Sequence, residues 1–408
     1  MRTRRVAVTG IGQVSSLGSS LRSFADALFA GRPGVVRLSD LVVPGMADPI
    51  GARIPDFDPQ RTLPGRTLAT VSRTAQYAHA AAVQALGMAR LERVDRPRGG
   101  VSVGTAFGGI LETEETYRSC LLNPGSRPKP TTIPTAMANA PASFLASELR
   151  LKGPNLTLAV ACASGSHAIG EAFRIVRSGE ADLMLAGGVD APLTPIVLAA
   201  WNAMRILAPA GSNPACACRP FSADRKGIVL GEGAAFLILE TLESAHERGA
   251  SILAEIAGYG RNADAGDLTH PDPEGVRACL ALALEDAQTR PEDVHYVNAH
   301  GTGTPINDRV EAEALAAVLG ARESLLVSST KAVHGHAMGA SGALEAVATI
   351  LALQEERFPP TANLHEPDLA LPRLGYIRGG EVRMKADHAL SNSFAFGGNN
   401  AVLVFRRP

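Results

Sequence analysis

The sequence predicts an α/β protein built from two similar halves. Three observations predict it. Short runs rich in Val, Leu, Ile and Ala alternate with longer helical patterns along the 408 residues. Most of those short runs are continuously apolar, the pattern of strands covered on both faces. One local grammar occurs twice: a strand, then reactive-looking residues, then a small-residue helix, at 156–178 and again at 324–353. Two equivalent halves joined near residues 240–255 explain the repetition.

Strands are expected at 4–10 (RRVAVTG), 100–106 (GVSVGTA), 156–162 (LTLAVAC), 182–188 (DLMLAGG) and 234–240 (AAFLILE). A second set is expected at 252–260 (ILAEIAGYG), 294–300 (VHYVNAH), 324–330 (SLLVSST) and 400–406 (NAVLVFR). Helical periodicity lies between them, as at 166–179 and 275–288. The proline-bearing stretch RPKPTTIPTA, 127–136, reads as a loop. The domain division that follows is 1–250 and 251–408.

Composition narrows the function. A net charge of −1 offers no bulk attraction to nucleic acid or an anionic membrane. The stretch MRTRRVAVTGIG reads as neither a signal peptide nor a membrane span. Five cysteines, at 120, 162, 216, 218 and 279, are odd in number and lack disulfide-framework spacing. A reducing, cytoplasmic setting follows. Neither Cys216-Ala217-Cys218 nor the His334-x-His336 pair has the further ligands a metal centre needs, so no metal is expected.

Four polar, Gly-rich loops follow apolar runs, where α/β proteins place their sites. In LAVACASGSHAIG, 158–170, Cys162 sits where a strand meets a helix. A helix N-terminus favours the thiolate, so its pKa is expected to fall. The small neighbours are read as room for a substrate. From this stretch alone an ordinary buried cysteine is the favoured reading. In VNAHGTGTP, 297–305, His300 enters a Gly/Thr loop with Thr302 and Thr304. SSTKAVHGHAMGASGALE, 328–345, supplies Lys331, His334, His336 and Glu345. SNSFAFGGNNA, 391–401, offers a glycine turn behind Phe394 and Phe396 whose N–H groups can face an oxyanion. His79, His167, His246, His270, His295, His365 and His388 are read as packing or solvent-facing, and Glu232 as structural.

These motifs, with RPFSADRKGIVLGEGAA at 219–235, resemble in order the signatures of the β-ketoacyl synthases, from VAVTGIG to NNAVLVF. The resemblance implies the thiolase fold, two duplicated α/β halves in an αβαβα five-layer sandwich. It implies a 3-oxoacyl-[acyl carrier protein] synthase. Cys162 would take an acyl group, and decarboxylative condensation with a malonyl carrier thioester would follow. His300 and His336 would donate to the thioester oxygen. Lys331 and Glu345 would orient His336. The amides of Cys162 and Phe396 would form an oxyanion hole. Thr302 and Thr304 would hold the phosphopantetheine arm, and Phe107, Phe394 and Phe396 would border the substrate. Arg66, Arg127, Lys129 and Arg205 would dock an acidic carrier protein. No organic cofactor is implied; a monovalent cation near Asn298, Glu345 and Asn392 occurs in some relatives. The partner subunit would be a second copy or a chain-length-factor-like chain.

Some residues depart from the family pattern. His334 stands where a small residue is usual, Phe107 where a smaller aliphatic residue is frequent, and Ala395 where glycine is usual. With Asn307–Asp308 they favour a specialised polyketide or polyene synthase over a housekeeping fatty-acid elongase. Stiffening of the Phe394–Phe396 loop by the Cβ of Ala395 is expected. Two other readings are a non-catalytic pocket-shaping subunit, which commonly lacks the cysteine, and a thiolase, which needs a second reactive cysteine in a motif absent here.

Overall fold

The computed structural model describes residues 4–55, 57–91 and 97–408. The first half holds strands β1 (Val6–Ser15), β2 (Gly99–Gly104), β3 (Asn155–Leu158), β4 (Leu183–Asp190) and β5 (Gly233–Thr241). The second holds β6 (Ala254–Ala263), β7 (Val294–Asn298), β8 (Leu326–Ser328), β9 (His388–Ala395) and β10 (Asn399–Arg406). The spatial order is β1-β5-β4-β2-β3 in the first half and β6-β10-β9-β7-β8 in the second. Each half thus repeats one order, first-fifth-fourth-second-third. Each also repeats one set of directions. β1·β5 and β5·β4 are antiparallel, as are β6·β10 and β10·β9, while the remaining pairs run parallel.

The halves join where Val6–Val8 pairs with Ala254–Ile256, so the strands form one hydrogen-bonded sheet, extended at its edge by Gly375–Tyr376. Helices form five layers with it. α1 (Arg73–Met88) covers β1 and β5 on the outside. α2 (Ser164–Ser178) lies inside, against β4 and β2. α3 (Pro273–Ala287) and α4 (Pro305–Leu319) cover the second half. α5 (Ser341–Glu355) packs on β9, β5 and α2 at once, which places it between the halves.

The continuous apolar runs have a direct cause. Successive side chains of a strand face opposite sides. In β5, Ala234, Phe236 and Ile238 enter the outer core of the first half, while Ala235, Leu237 and Leu239 enter the central core. In β10, Val402 and Val404 face outward beneath α3, while Ala401, Leu403 and Phe405 face inward. Each fully buried Leu or Phe side chain contributes about 2 kcal/mol.

Local differences from the sequence reading are few. β3 stops at Leu158, and Cys162 lies in a 3-10 turn, Ala161–Ala163, rather than on the strand. β9 was not expected as a strand, because its polar residues Ser391, Asn392 and Ser393 hide it; all three are buried. Thr132–Ala136, expected as a loop, forms a short helix.

Candidate active site

Cys162 is held by a strained turn. Ala161 has φ 48°, in the left-handed region, which costs a non-glycine residue about 1 kcal/mol. Ser164 secures it: its Oγ accepts from the Val160 N–H at 2.9 Å and donates to the Ala161 carbonyl at 2.6 Å. Among the small residues nearby, read from sequence as room for a substrate, Gly165 makes room for the chain. A Cβ on Gly165 would lie 2.7 Å from the Gly339 carbonyl oxygen, and one on Gly188 2.4 Å from the same atom. The turn before α5 is therefore pressed onto the start of α2 and the end of β4.

Burial pushes the Cys162 thiol up to about 12, against the opposing pull of Lys331 and of the Cys162 and Phe396 amides on the sulfur. The expected fall in pKa does not occur. The N–H groups do favour the thiolate, but removing the sulfur from water outweighs them. The Cys162 and Phe396 amides named for an oxyanion hole both act in favour of the thiolate.

His300 follows β7. Its N–H and that of Gly301 donate to the two Glu311 carboxylate oxygens, each at 2.8 Å, and Asn392 Nδ2 donates to Glu311 at 3.0 Å. The Gly303 N–H donates to Asp308 at 3.2 Å. Two carboxylates of α4 thus shape the histidine loop, and sequence reasoning named neither as a site residue. Gly301 and Gly303, at φ 36° and 81°, supply the left-handed turns.

Lys331 does not orient His336, contrary to the sequence expectation. Its Nζ bonds the His300 carbonyl oxygen at 2.6 Å, His300 Nδ1 at 3.2 Å and the Glu345 carboxylate. An ammonium has three protons, and these partners use all three. His300 Nδ1 therefore accepts, and its proton sits on Nε2. His336 is oriented otherwise: its Nδ1 accepts from the Met338 N–H at 3.2 Å and from Ser341 Oγ at 2.9 Å. It too is the Nε2–H tautomer. Burial, then Lys331, holds both imidazoles well below the usual histidine range, so both are neutral donors near pH 7. Their ring centroids lie 5.6 Å apart at 87°.

One cavity of about 530 Å³ collects these groups. Cys162, His300, His336, Thr302, Thr304, Phe394 and Phe396 all line it. The threonine hydroxyls bond each other at 2.9 Å. Sequence reasoning missed Trp201, which stacks on Phe396 at 5.7 Å, and His270, which also lines the wall. The Gly397 and Gly398 N–H groups do not face the cavity; they donate to Leu268 and Ala395 carbonyls. Ala395 ends β9, paired with Asn399, outside the left-handed region, so its Cβ imposes no strain.

Other expected residues lie elsewhere. Phe107 does not line this cavity. It packs, half-buried, on the same central core that contains Cys162. Arg205 is exposed at the cavity rim. Arg127 and Lys129 line a separate groove with Glu112 and Glu115, and Arg66 is exposed. His334 is buried, and both its ring nitrogens are engaged, with Gly335 O and Thr330 Oγ1, so it does not pair with His336 as a metal ligand. Glu345 Oε2, Ser391 Oγ and Asn392 Oδ1 are buried without hydrogen-bond partners, and Ser391 pairs with Asn298 across β9 and β7. Buried, unpaired oxygen donors of this kind suit a hard cation.

The profile of the β-ketoacyl synthase N-terminal domain matches residues 3–245, and that of the C-terminal domain matches 253–365. The chain belongs to the β-ketoacyl synthase family. This synthase is 40% identical to 3-oxoacyl-[acyl-carrier-protein] synthase 2 of Synechocystis sp., over 100% of the chain and 99% of the relative. It is 42% identical to nodulation protein E of Rhizobium sp., over 99% of each. Among solved structures, the ishigamide ketosynthase/chain length factor superposes with a TM-score of 0.93 at 35% identity, covering 100% of both chains. The synthase has the thiolase fold and is an acyltransferase of the condensing type. Among the described residues, no helix is long and apolar enough to cross a membrane.

Proposed function

We propose that Cys162, His300 and His336 carry out acyl transfer and decarboxylative condensation on carrier-protein thioesters. One observation carries the reading: a thiol and two neutral, Nε2-protonated imidazoles share one cavity. Cys162 attacks the acyl thioester carbonyl, and its proton leaves on the departing pantetheine sulfur. A malonyl thioester then enters and loses carbon dioxide. The His300 and His336 Nε2–H groups stabilise the enolate oxygen. The enolate carbon attacks the acyl-Cys162 carbonyl, whose oxygen is held by the Cys162 and Phe396 amides. Each such donor is worth about 3 kcal/mol. The thiolate leaves and takes up one proton, which balances the lost carboxylate.

Thr302 and Thr304 hold the arm of an acidic acyl carrier protein, and Arg205 at the rim meets its surface. The oxygens of Asn298, Glu345, Ser391 and Asn392 would hold a monovalent cation, which supplies fixed positive charge when bound. No organic cofactor takes part. Residues 1–250 and 251–408 act as the two halves, the first giving the nucleophile and the second both histidines. The enzyme works in the cytoplasm, paired with a second copy or a chain-length-factor-like chain; the similarity to the ishigamide ketosynthase/chain length factor supports the latter. A polyketide or polyene pathway is our first reading, supported by the nodulation relative and by that same structure. Fatty-acid elongation is the second, supported by the synthase 2 relative. An intact Cys162 with both histidines argues against a non-catalytic subunit.

Intact mass spectrometry tests this. An acyl carrier thioester should add one acyl mass to the wild type and none to Cys162→Ala. Malonyl carrier protein should then discharge that acyl group as extended product. A panel of acyl starters read the same way separates the two pathways. Acylation of Cys162→Ala at the native rate would sink the reading.

A further inference from the structure

Asp190 is fully buried at the end of β4, and no step above uses it. Its carboxylate accepts four hydrogen bonds. Oδ1 takes Thr105 Oγ1 at 2.8 Å and the Phe107 N–H at 3.1 Å. Oδ2 takes the Ala106 N–H at 2.8 Å and the Gly339 N–H at 2.7 Å. Three partners belong to the loop after β2. The fourth, Gly339, belongs to the other half and lies one residue from Met338, whose N–H holds His336 Nδ1.

The contact is built, not incidental. A Cβ at position 339 would lie 2.6 Å from Asp190 Oδ2 and 2.6 Å from the Ala106 nitrogen, so only glycine permits it. Met338 has φ 50°, a strained conformation for a non-glycine residue, and it needs an outside hold. Consecutive amides divide the work: Met338 N–H faces the imidazole, and Gly339 N–H faces the carboxylate.

We propose that Asp190 is a positioning residue that, from the first half, fixes the Met338–Gly339 turn and so keeps His336 as the Nε2–H donor. The inference rests on the reading that His336 assists decarboxylation. Without the Gly339 anchor, the turn relaxes from its left-handed backbone. Met338 N–H then leaves Nδ1, and Ser341 Oγ, which can donate or accept, no longer fixes the tautomer. Asp190 does not touch the thioester, and its charge opposes the Cys162 thiolate, so acyl transfer to Cys162 should persist when that charge is removed.

The test is the ratio of two half-reactions in one preparation, which does not depend on the fraction folded. Acylation of Cys162 by an acyl carrier thioester is read by mass, and malonyl carrier protein decarboxylation by released carbon dioxide. In Asp190→Asn an amide N–H₂ replaces one acceptor and opposes two donors. Decarboxylation should fall roughly 10–100-fold, the range typical for groups that orient functional histidines. Acylation should stay within about threefold of the native rate. Asp190→Ser, smaller and able to admit water, should give the same imbalance if the Asn variant folds poorly. Combining Asp190→Asn with Ser341→Ala should give less than the product of the single losses, because both act through one nitrogen. Equal loss of both half-reactions, no loss, or full multiplicativity would each overturn the inference. His336→Ala is the control: if it still decarboxylates at the native rate, the underlying reading falls and takes the inference with it.

Discussion

Lys331 Nζ lies 2.6 Å from the carbonyl oxygen of His300 and 3.2 Å from its Nδ1, while it also pairs with Glu345. Both charged side chains are fully buried. The ammonium therefore sets the tautomer of one histidine, and Glu345 balances its charge. Removing one partner of such a pair strands the other charge and costs about 3–5 kcal/mol. Lys331→Met should lose that much stability in urea unfolding, and decarboxylation with it. Adding Glu345→Gln should restore most of the stability but not decarboxylation. A double variant that decarboxylates at the native rate would remove Lys331 from the site.

Cys162 alkylation offers a direct check on burial. Its thiol is pushed up to about 12 by desolvation. A raised thiol pKa means that the thiolate fraction is small at neutral pH and grows about tenfold per pH unit below that value. The iodoacetamide rate at Cys162, followed by mass, should climb from pH 7 to 10 without a plateau. A plateau at or below pH 7.5 would mean that the helix terminus wins over burial.

Phe107 shares the central core with Cys162 but not the cavity wall. An acyl chain that leaves the sulfur away from the cavity mouth must run into that core. Phe107→Ala should then lengthen the longest starter accepted and should cost about 1–2 kcal/mol of stability for a half-buried ring. Measuring acyl-length profiles beside unfolding curves separates the two effects. Lost stability with an unchanged profile would show that the ring only packs.

Arg205 and Arg127 lie on two different surfaces. Arg205 stands at the cavity rim, whereas Arg127 lines a groove that also holds Glu112 and Glu115. Arg205→Glu should weaken carrier-protein binding several-fold at low ionic strength, and the difference should shrink as salt screens it. Arg127→Glu should have the smaller effect within one chain. Titrations at two salt concentrations decide; a larger loss at Arg127 would move the carrier to the second groove.

Much of this protein was legible before folding. Continuous apolar runs gave nine of the strands, because strands covered on both faces need no polar alternation. The motifs around Cys162, His300 and His336 gave the reactive groups, because such chemistry demands particular side chains next to glycine. β9 stayed hidden because its polar residues are buried against the site rather than exposed. Glu311 and the loop-shaping role of Asp308 stayed hidden because an acidic residue on a helix looks solvated until the loop amides it serves are known.

The sequence by itself determined which residues can react and that two like halves carry them. Only the tertiary structure decided that Lys331 serves His300, that burial raises the Cys162 thiol, and that Asp190 reaches the turn beside His336. Those outcomes depend on desolvation and on hydrogen bonds between residues far apart in the chain. Neither quantity exists until the two halves close on each other.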